Sequence, residues 1–127
     1  MSHWVSVQAE IKDLDALEEA LKKMGYSNIK RNCTARGYGT QNHKCDLVVV
    51  QDRYDIGFKL NANGTCDISA DFSMIHINEK KFRNEVMQNY SYCKIMKALR
   101  RKGLTAKEKV EKDGTIKLTV DLGRMYG

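Results

Sequence analysis

Two runs of apolar–polar alternation meet at a tight turn in the middle of the chain, and this feature constrains the fold most. Ile56, Phe58 and Leu60 alternate with Gly57 and Lys59, Asn63-Gly64 follows, and Cys66, Ile68, Ala70 and Phe72 alternate with Asp67, Ser69 and Asp71. A period of two gives a strand one buried face, and Asn-Gly suits the backbone of a hairpin turn. The segment therefore predicts an antiparallel hairpin. A second one is expected around Asp113-Gly114, joining residues 105–111 to 115–122, with Ile116, Leu118, Val120 and Leu122 facing inward.

The other elements fit around these hairpins. Val5, Val7, Ala9 and Ile11 alternate with Ser6, Gln8 and Glu10 and read as a first strand. Asp13 then stands at an N-cap position, Asp15, Glu18 and Glu19 occupy the positive end of a helix, Lys22 and Lys23 the negative end, and Gly25 the stop. Leu14, Leu17, Leu21 and Met24 supply its apolar stripe. Residues 28–36 carry a weaker strand pattern, Gly37-Tyr38-Gly39 breaks it, and residues 37–43 read as a loop. Leu47-Val48-Val49-Val50 is apolar on both parities, as a central strand covered on both faces requires.

Residues 78–102 form the longest helical candidate, with Asn78 as N-cap and Gly103 as stop. At about 100° per residue, Phe82, Val86, Tyr90, Cys93 and Met96 share one side, while Lys80, Arg83, Lys94 and Arg101 gather on one flank. Lys97 and Arg100 interrupt the stripe, so the last turn is expected to overhang the core and expose its charges. The order β-α-β-β-β-β-α-β-β, with hairpins around two helices, predicts an α+β fold: a two-layer, largely antiparallel sheet with two helices on one face. A chain of 127 residues has room for one domain, read as 1–122 with 123–127 as a short tail.

Charge narrows the function classes. Residues 77–112 carry 11 basic and 4 acidic side chains, a net +7 against +6 for the whole chain. A concentrated basic block attracts phosphates or acidic protein surfaces better than the same charge spread evenly. The expectation is a non-catalytic binding or adaptor protein that presents Lys80, Arg83, Lys94, Lys97, Arg100 and Arg101 to an acidic protein partner. The alternative is a weak, nonspecific nucleic-acid binder that uses the same helix and loses affinity steeply with salt.

Catalytic and metal signatures are not found. Cys33, Cys45, Cys66 and Cys93 form no CxxC pair, and they read as free thiols in a reducing compartment. His3, His43 and His76 lack a second ligand at metal-binding spacing, and Asp67 with Asp71 reads as the solvated face of a strand. No metal ligand, cofactor or catalytic residue is assigned. Arg36-Gly37-Tyr38-Gly39 fits the first four positions of an RNA-recognition signature, but Thr40, Gln41 and His43 stand where apolar and aromatic residues belong. Arg36, Tyr38 and His43 together remain a candidate pocket, since a cation, a phenol and a base lie close in sequence. The N-terminus lacks the basic and apolar regions of a secretory signal, no apolar run approaches a membrane span, and the expected location is cytoplasmic.

Several short segments taken together are specific. Met1-Ser2-His3-Trp4, Ile11-Lys12-Asp13-Leu14, Arg36-Gly37-Tyr38, Tyr54-Asp55-Ile56-Gly57-Phe58, Asp71, Tyr90-Ser91-Tyr92 and Asp113-Gly114 span most of the chain. In these segments the chain resembles the conserved hypothetical chloroplast reading-frame family thirty-five, of unknown function, found in plastid genomes, cyanobacteria and other bacteria. Where that family follows Arg-Gly-Tyr with a Gly-Gln-x-His-like stretch, Gly39-Thr40-Gln41-Asn42-His43 carries one extra residue. The resemblance implies a small soluble protein of the cytoplasm or plastid stroma without an assigned activity. Some members are encoded near ATPases of the AAA class, which implies such an ATPase as the acidic partner of an adaptor.

Overall fold

The computed structural model describes residues 4–37 and 42–120. In chain order the elements are β1 (Val5–Ala9), α1 (Leu14–Lys23), β2 (Ile29–Arg36), β3 (Asn42–Val49), β4 (Ile56–Leu60), β5 (Cys66–Ala70), α2 (Glu79–Arg101), β6 (Ala106–Val110) and β7 (Ile116–Val120). The expected order and the α+β class hold. Five strands form one antiparallel sheet in the order β1-β5-β4-β3-β2, and β6 pairs with β7 in a separate two-stranded sheet.

The local signals act as read. Asp13 caps α1 by accepting from the Ala16 N–H at 3.1 Å, and Asn78 caps α2 by accepting from the Lys81 N–H at 2.9 Å. Gly64 closes the β4–β5 turn at φ 87°, a left-handed conformation that favours glycine. One cluster unites both helices with one sheet face: Leu17 and Leu21 of α1 and Phe82, Val86 and Tyr90 of α2 lie over Leu47, Ile56, Phe58 and Ile68. Burying side chains of this size contributes about 1.5–3 kcal/mol each, and this cluster is the main source of stability. A smaller cluster of Ala35, Cys45 and Val48, with Trp4, Cys33 and Val50 against it, occupies the face without helices.

Five expectations need correction. Residues 42 and 43 do not belong to a loop: β3 begins at Asn42, and His43 pairs with Ala35. The first hairpin's second strand stops at Ala70, because the chain turns at Asp71 and the Ile75 N–H donates to the Asp71 carbonyl at 3.2 Å. Asp71 is consequently fully buried, not on a solvated face, with one carboxylate oxygen capping the Met74 N–H at 3.2 Å. The last turn of α2 exposes Arg100 and Arg101 as expected, but it does not overhang the core, since Leu99 is buried and Lys97 is half-buried. The second hairpin is shorter than read, and its inward Ile116, Leu118 and Val120 are only half-buried. Leu122 and the tail lie outside the described residues.

The weak pattern of β2 has a physical cause. Ile29 packs with the helix-side core, while Cys33 and Ala35 pack on the opposite face, although residues four apart on a regular strand share a face. Opposite them, Leu47 faces the helices and Cys45 does not. Pairing runs from Arg31 with Leu47 to Cys33 with Cys45, and Asn32, at φ 51°, falls between these pairs. The hairpin changes faces there without changing register.

Candidate functional site

The basic residues of α2 divide into two groups once their partners are identified. Arg83 Nε donates to the Gln8 carbonyl at 2.6 Å and so satisfies the backbone of the edge strand β1. Lys97 Nζ pairs with Asp13 Oδ2 at 2.9 Å, on the carboxylate that caps α1. Both cations are used by the fold. Burial raises the Asp13 carboxyl, but the Lys97 hydrogen bond, the Ala16 N–H and the nearby Lys97 and Lys94 charges outweigh it and hold it below its ordinary value.

The other α2 cations point outward. Lys80, Lys94, Arg100 and Arg101 are exposed, and among the described residues none forms an ion pair. Arg100 borders a shallow cleft of about 380 Å³ with Asp15, Glu18, Glu19, Lys22 and Arg31. There Arg31 already bridges Asp15 at 2.7 Å and Glu18 at 3.1 Å, so the acidic edge of α1 is partly neutralised. At 1.5 Å per residue Lys80 and Arg101 stand about 30 Å apart along the helix, a length suited to an extended acidic surface.

A hairpin flanks the same helix. The Tyr92 hydroxyl donates to Glu108 of β6, and Gln88 Nε2 donates to the Gly114 carbonyl at 2.7 Å. The Glu108 hydrogen bond, and to a lesser degree burial, raise the Tyr92 phenol. Lys23 of α1 lies 3.4 Å above the centre of the Tyr92 ring, so this tyrosine joins three elements. Between α2 and the hairpin lies a groove of about 330 Å³ that includes Ile95, Ile116 and Leu118. Sequence reasoning missed this arrangement because the hairpin's docking depends on contacts between residues 16 and 26 positions apart.

The loop candidate is placed differently. Arg36 holds Asp55 in a two-pronged pair, Nε to Oδ2 and Nη2 to Oδ1 both at 3.0 Å, and the N–H groups of Arg36 and Gln51 donate to the same carboxylate at 2.8 and 3.1 Å. Burial raises the Asp55 carboxyl, but these hydrogen bonds outweigh it and hold it low. His43 stacks on Trp4, with ring centres 4.2 Å apart and planes within 5°, and its Nε2 is buried without a partner among the described residues. Arg36 pairs with Asn42 and Ala35 with His43, so Arg36 and His43 leave opposite faces of the hairpin and are not brought together. Tyr38 lies outside the described residues. Cys45 donates weakly to the His43 carbonyl at 3.4 Å, and burial raises its thiol, which disfavours it as a catalytic nucleophile toward an external substrate. Among the described residues no three His, Cys, Asp or Glu side chains converge to hold a metal.

Segments that carry the resemblance meet in space. Arg36 grips Asp55, Trp4 lies against Gly37, and the Tyr90 hydroxyl accepts from the N–H groups of Lys12 and Asp13 at 3.1 and 3.0 Å. A family model described as "Protein of unknown function (DUF1257)" matches residues 20–119, and the chain belongs to that family. It is similar to the uncharacterized protein ycf35 of Pyropia yezoensis, 29% identical over 124 residues that cover 94% of this chain and 96% of the relative. It is also similar to the uncharacterized protein ycf35 of Guillardia theta, 30% identical over 128 residues covering 98% of this chain and 99% of the relative. No solved structure matches it. No helix among the described residues is long and apolar enough to cross a membrane.

Proposed function

We propose that this protein is a non-catalytic binding or adaptor protein of the cytoplasm or plastid stroma, and that it docks an acidic protein partner along the exposed flank of α2. One observation carries the reading: the fold uses Arg83 and Lys97, while Lys80, Lys94 and Arg101 remain exposed on one flank and Arg100 is exposed beside the cleft against α1. Desolvating several cations is unfavourable unless opposite charge meets them, so such a stripe discriminates for acidic surfaces and against basic ones. The half-buried hairpin beside the helix adds apolar area at the edge of the same surface.

Affinity purification of the tagged chain from its native host, run with and without nuclease and read by mass spectrometry, tests the class of partner. A stoichiometric acidic protein retained after nuclease treatment is the expected result, and an AAA-class ATPase among such proteins would fit the adaptor role. Partners that vanish with nuclease would replace this reading with nonspecific nucleic-acid binding through the same helix, and affinity would then fall steeply with salt.

A further inference from the structure

We propose that Cys33 and Cys45 are a reversible dithiol–disulfide pair, a redox modification site on the helix-free face of the sheet, oxidised by exchange with a protein or small-molecule disulfide. The two are direct cross-strand partners in the β2–β3 pairing. Directly opposed residues of antiparallel strands have Cα atoms about 4.5–5.5 Å apart, inside the roughly 4.4–6.8 Å that a disulfide spans. Both side chains belong to the same small cluster with Ala35 and Val48, so they leave the sheet on one side. Both thiols are free.

Their unequal exposure sets an order of events. Cys33 is partly exposed and Cys45 is buried. The Cys33 thiolate attacks one sulfur of the incoming disulfide, forming a mixed disulfide and expelling one thiolate. Cys45 then loses its proton to solvent and attacks the Cys33 sulfur, forming the Cys33–Cys45 bond and expelling the second thiolate. Two protein thiols are oxidised and one disulfide is reduced to two thiols. Burial shields Cys45 from the incoming disulfide, while its place opposite Cys33 lets it reach the mixed disulfide once that has formed, so Cys33 initiates and Cys45 resolves. The bond would lie next to Asn32, where pairing is interrupted, and within the cluster that holds Trp4.

The test uses the reduced full-length chain equilibrated with glutathione disulfide, alkylated under denaturing conditions and digested with trypsin without reduction. Arg36 and Lys44 lie between the two cysteines, so trypsin separates them unless the disulfide joins them. The expected product is residues 32–36 linked to residues 45–53, about 2 Da lighter than the separate reduced peptides, and lost on adding dithiothreitol. In Cys45→Ser the same treatment should stall Cys33 as a lasting glutathione adduct. A folded wild-type chain in which Cys33 stays alkylated or remains a glutathione adduct, with no link to Cys45, would overturn the proposal.

Discussion

Lys97 and Asp13 form an ion pair of 2.9 Å that joins α2 to the carboxylate capping α1. One side chain thus serves as helix cap and interhelical contact. Asp13→Ala removes both and is expected to cost about 0.5–2 kcal/mol, the usual range for losing a cap, read as a lower urea midpoint with an unchanged slope. Asp13→Asn retains a capping acceptor and should lose less. Equal losses in the two variants would show that the cap contributes nothing here.

Acid should weaken the fold. Asp55 and Asp13 both have folded-state values below the ordinary 3.8, so the unfolded chain binds their protons more readily. Their contribution is fully present above the unfolded value and is lost as pH falls through the folded value. Urea midpoints should be level near neutrality and drop below about pH 4. Removing the Asp55 carboxylate with Asp55→Ala leaves the Arg36 and Gln51 N–H groups unpaired, at a cost of about 2 kcal/mol, and should flatten that acid limb. An acid limb of undiminished steepness in the variant would assign it to other groups.

Gly57 is a packing requirement of β4. A Cβ there would come within 2.5 Å of Cys45 Sγ and 3.2 Å of Ala35 Cβ. Gly57→Ala should destabilise by about 1–3 kcal/mol through overpacking, and Cys45→Ala should recover part of that loss because it removes the nearest atom. Strict additivity of the two substitutions would contradict this contact.

Tyr92 fastens the β6–β7 hairpin to α2. In Tyr92→Phe the Glu108 hydrogen bond is lost while the ring over which Lys23 lies remains. Amide exchange should quicken in residues 106–120 and stay unchanged in β3, β4 and β5, since a lone two-stranded hairpin is marginally stable. Uniform protection across both sheets would mean that other contacts hold the hairpin.

Much of the fold was legible because its signals are local. The cap, charge order and stripe of α1 lie within about a dozen residues, and Asn63-Gly64 marks the turn between β4 and β5. What escaped depends on distant partners. Asp55 looks like an ordinary loop carboxylate until Arg36, 19 positions earlier, is seen to hold it. Arg83 and Lys97 look equivalent to their charged neighbours, and only the approach of Gln8 and Asp13, 75 and 84 positions away, separates them. The face change at Asn32 defeats any reading by period two, because the register is the same on either side of it while the side chains reverse.

The most direct test of the central claim compares two baits in nuclease-treated host extract by quantitative mass spectrometry. One carries Lys80→Glu, Lys94→Glu and Arg101→Glu, and the other is the unaltered chain, with matched circular dichroism and thermal midpoints. The account predicts that the variant retains less than about a tenth of the acidic partner, a loss of roughly 1.4 kcal/mol or more. Equal recovery on both baits would contradict docking through the exposed flank of α2.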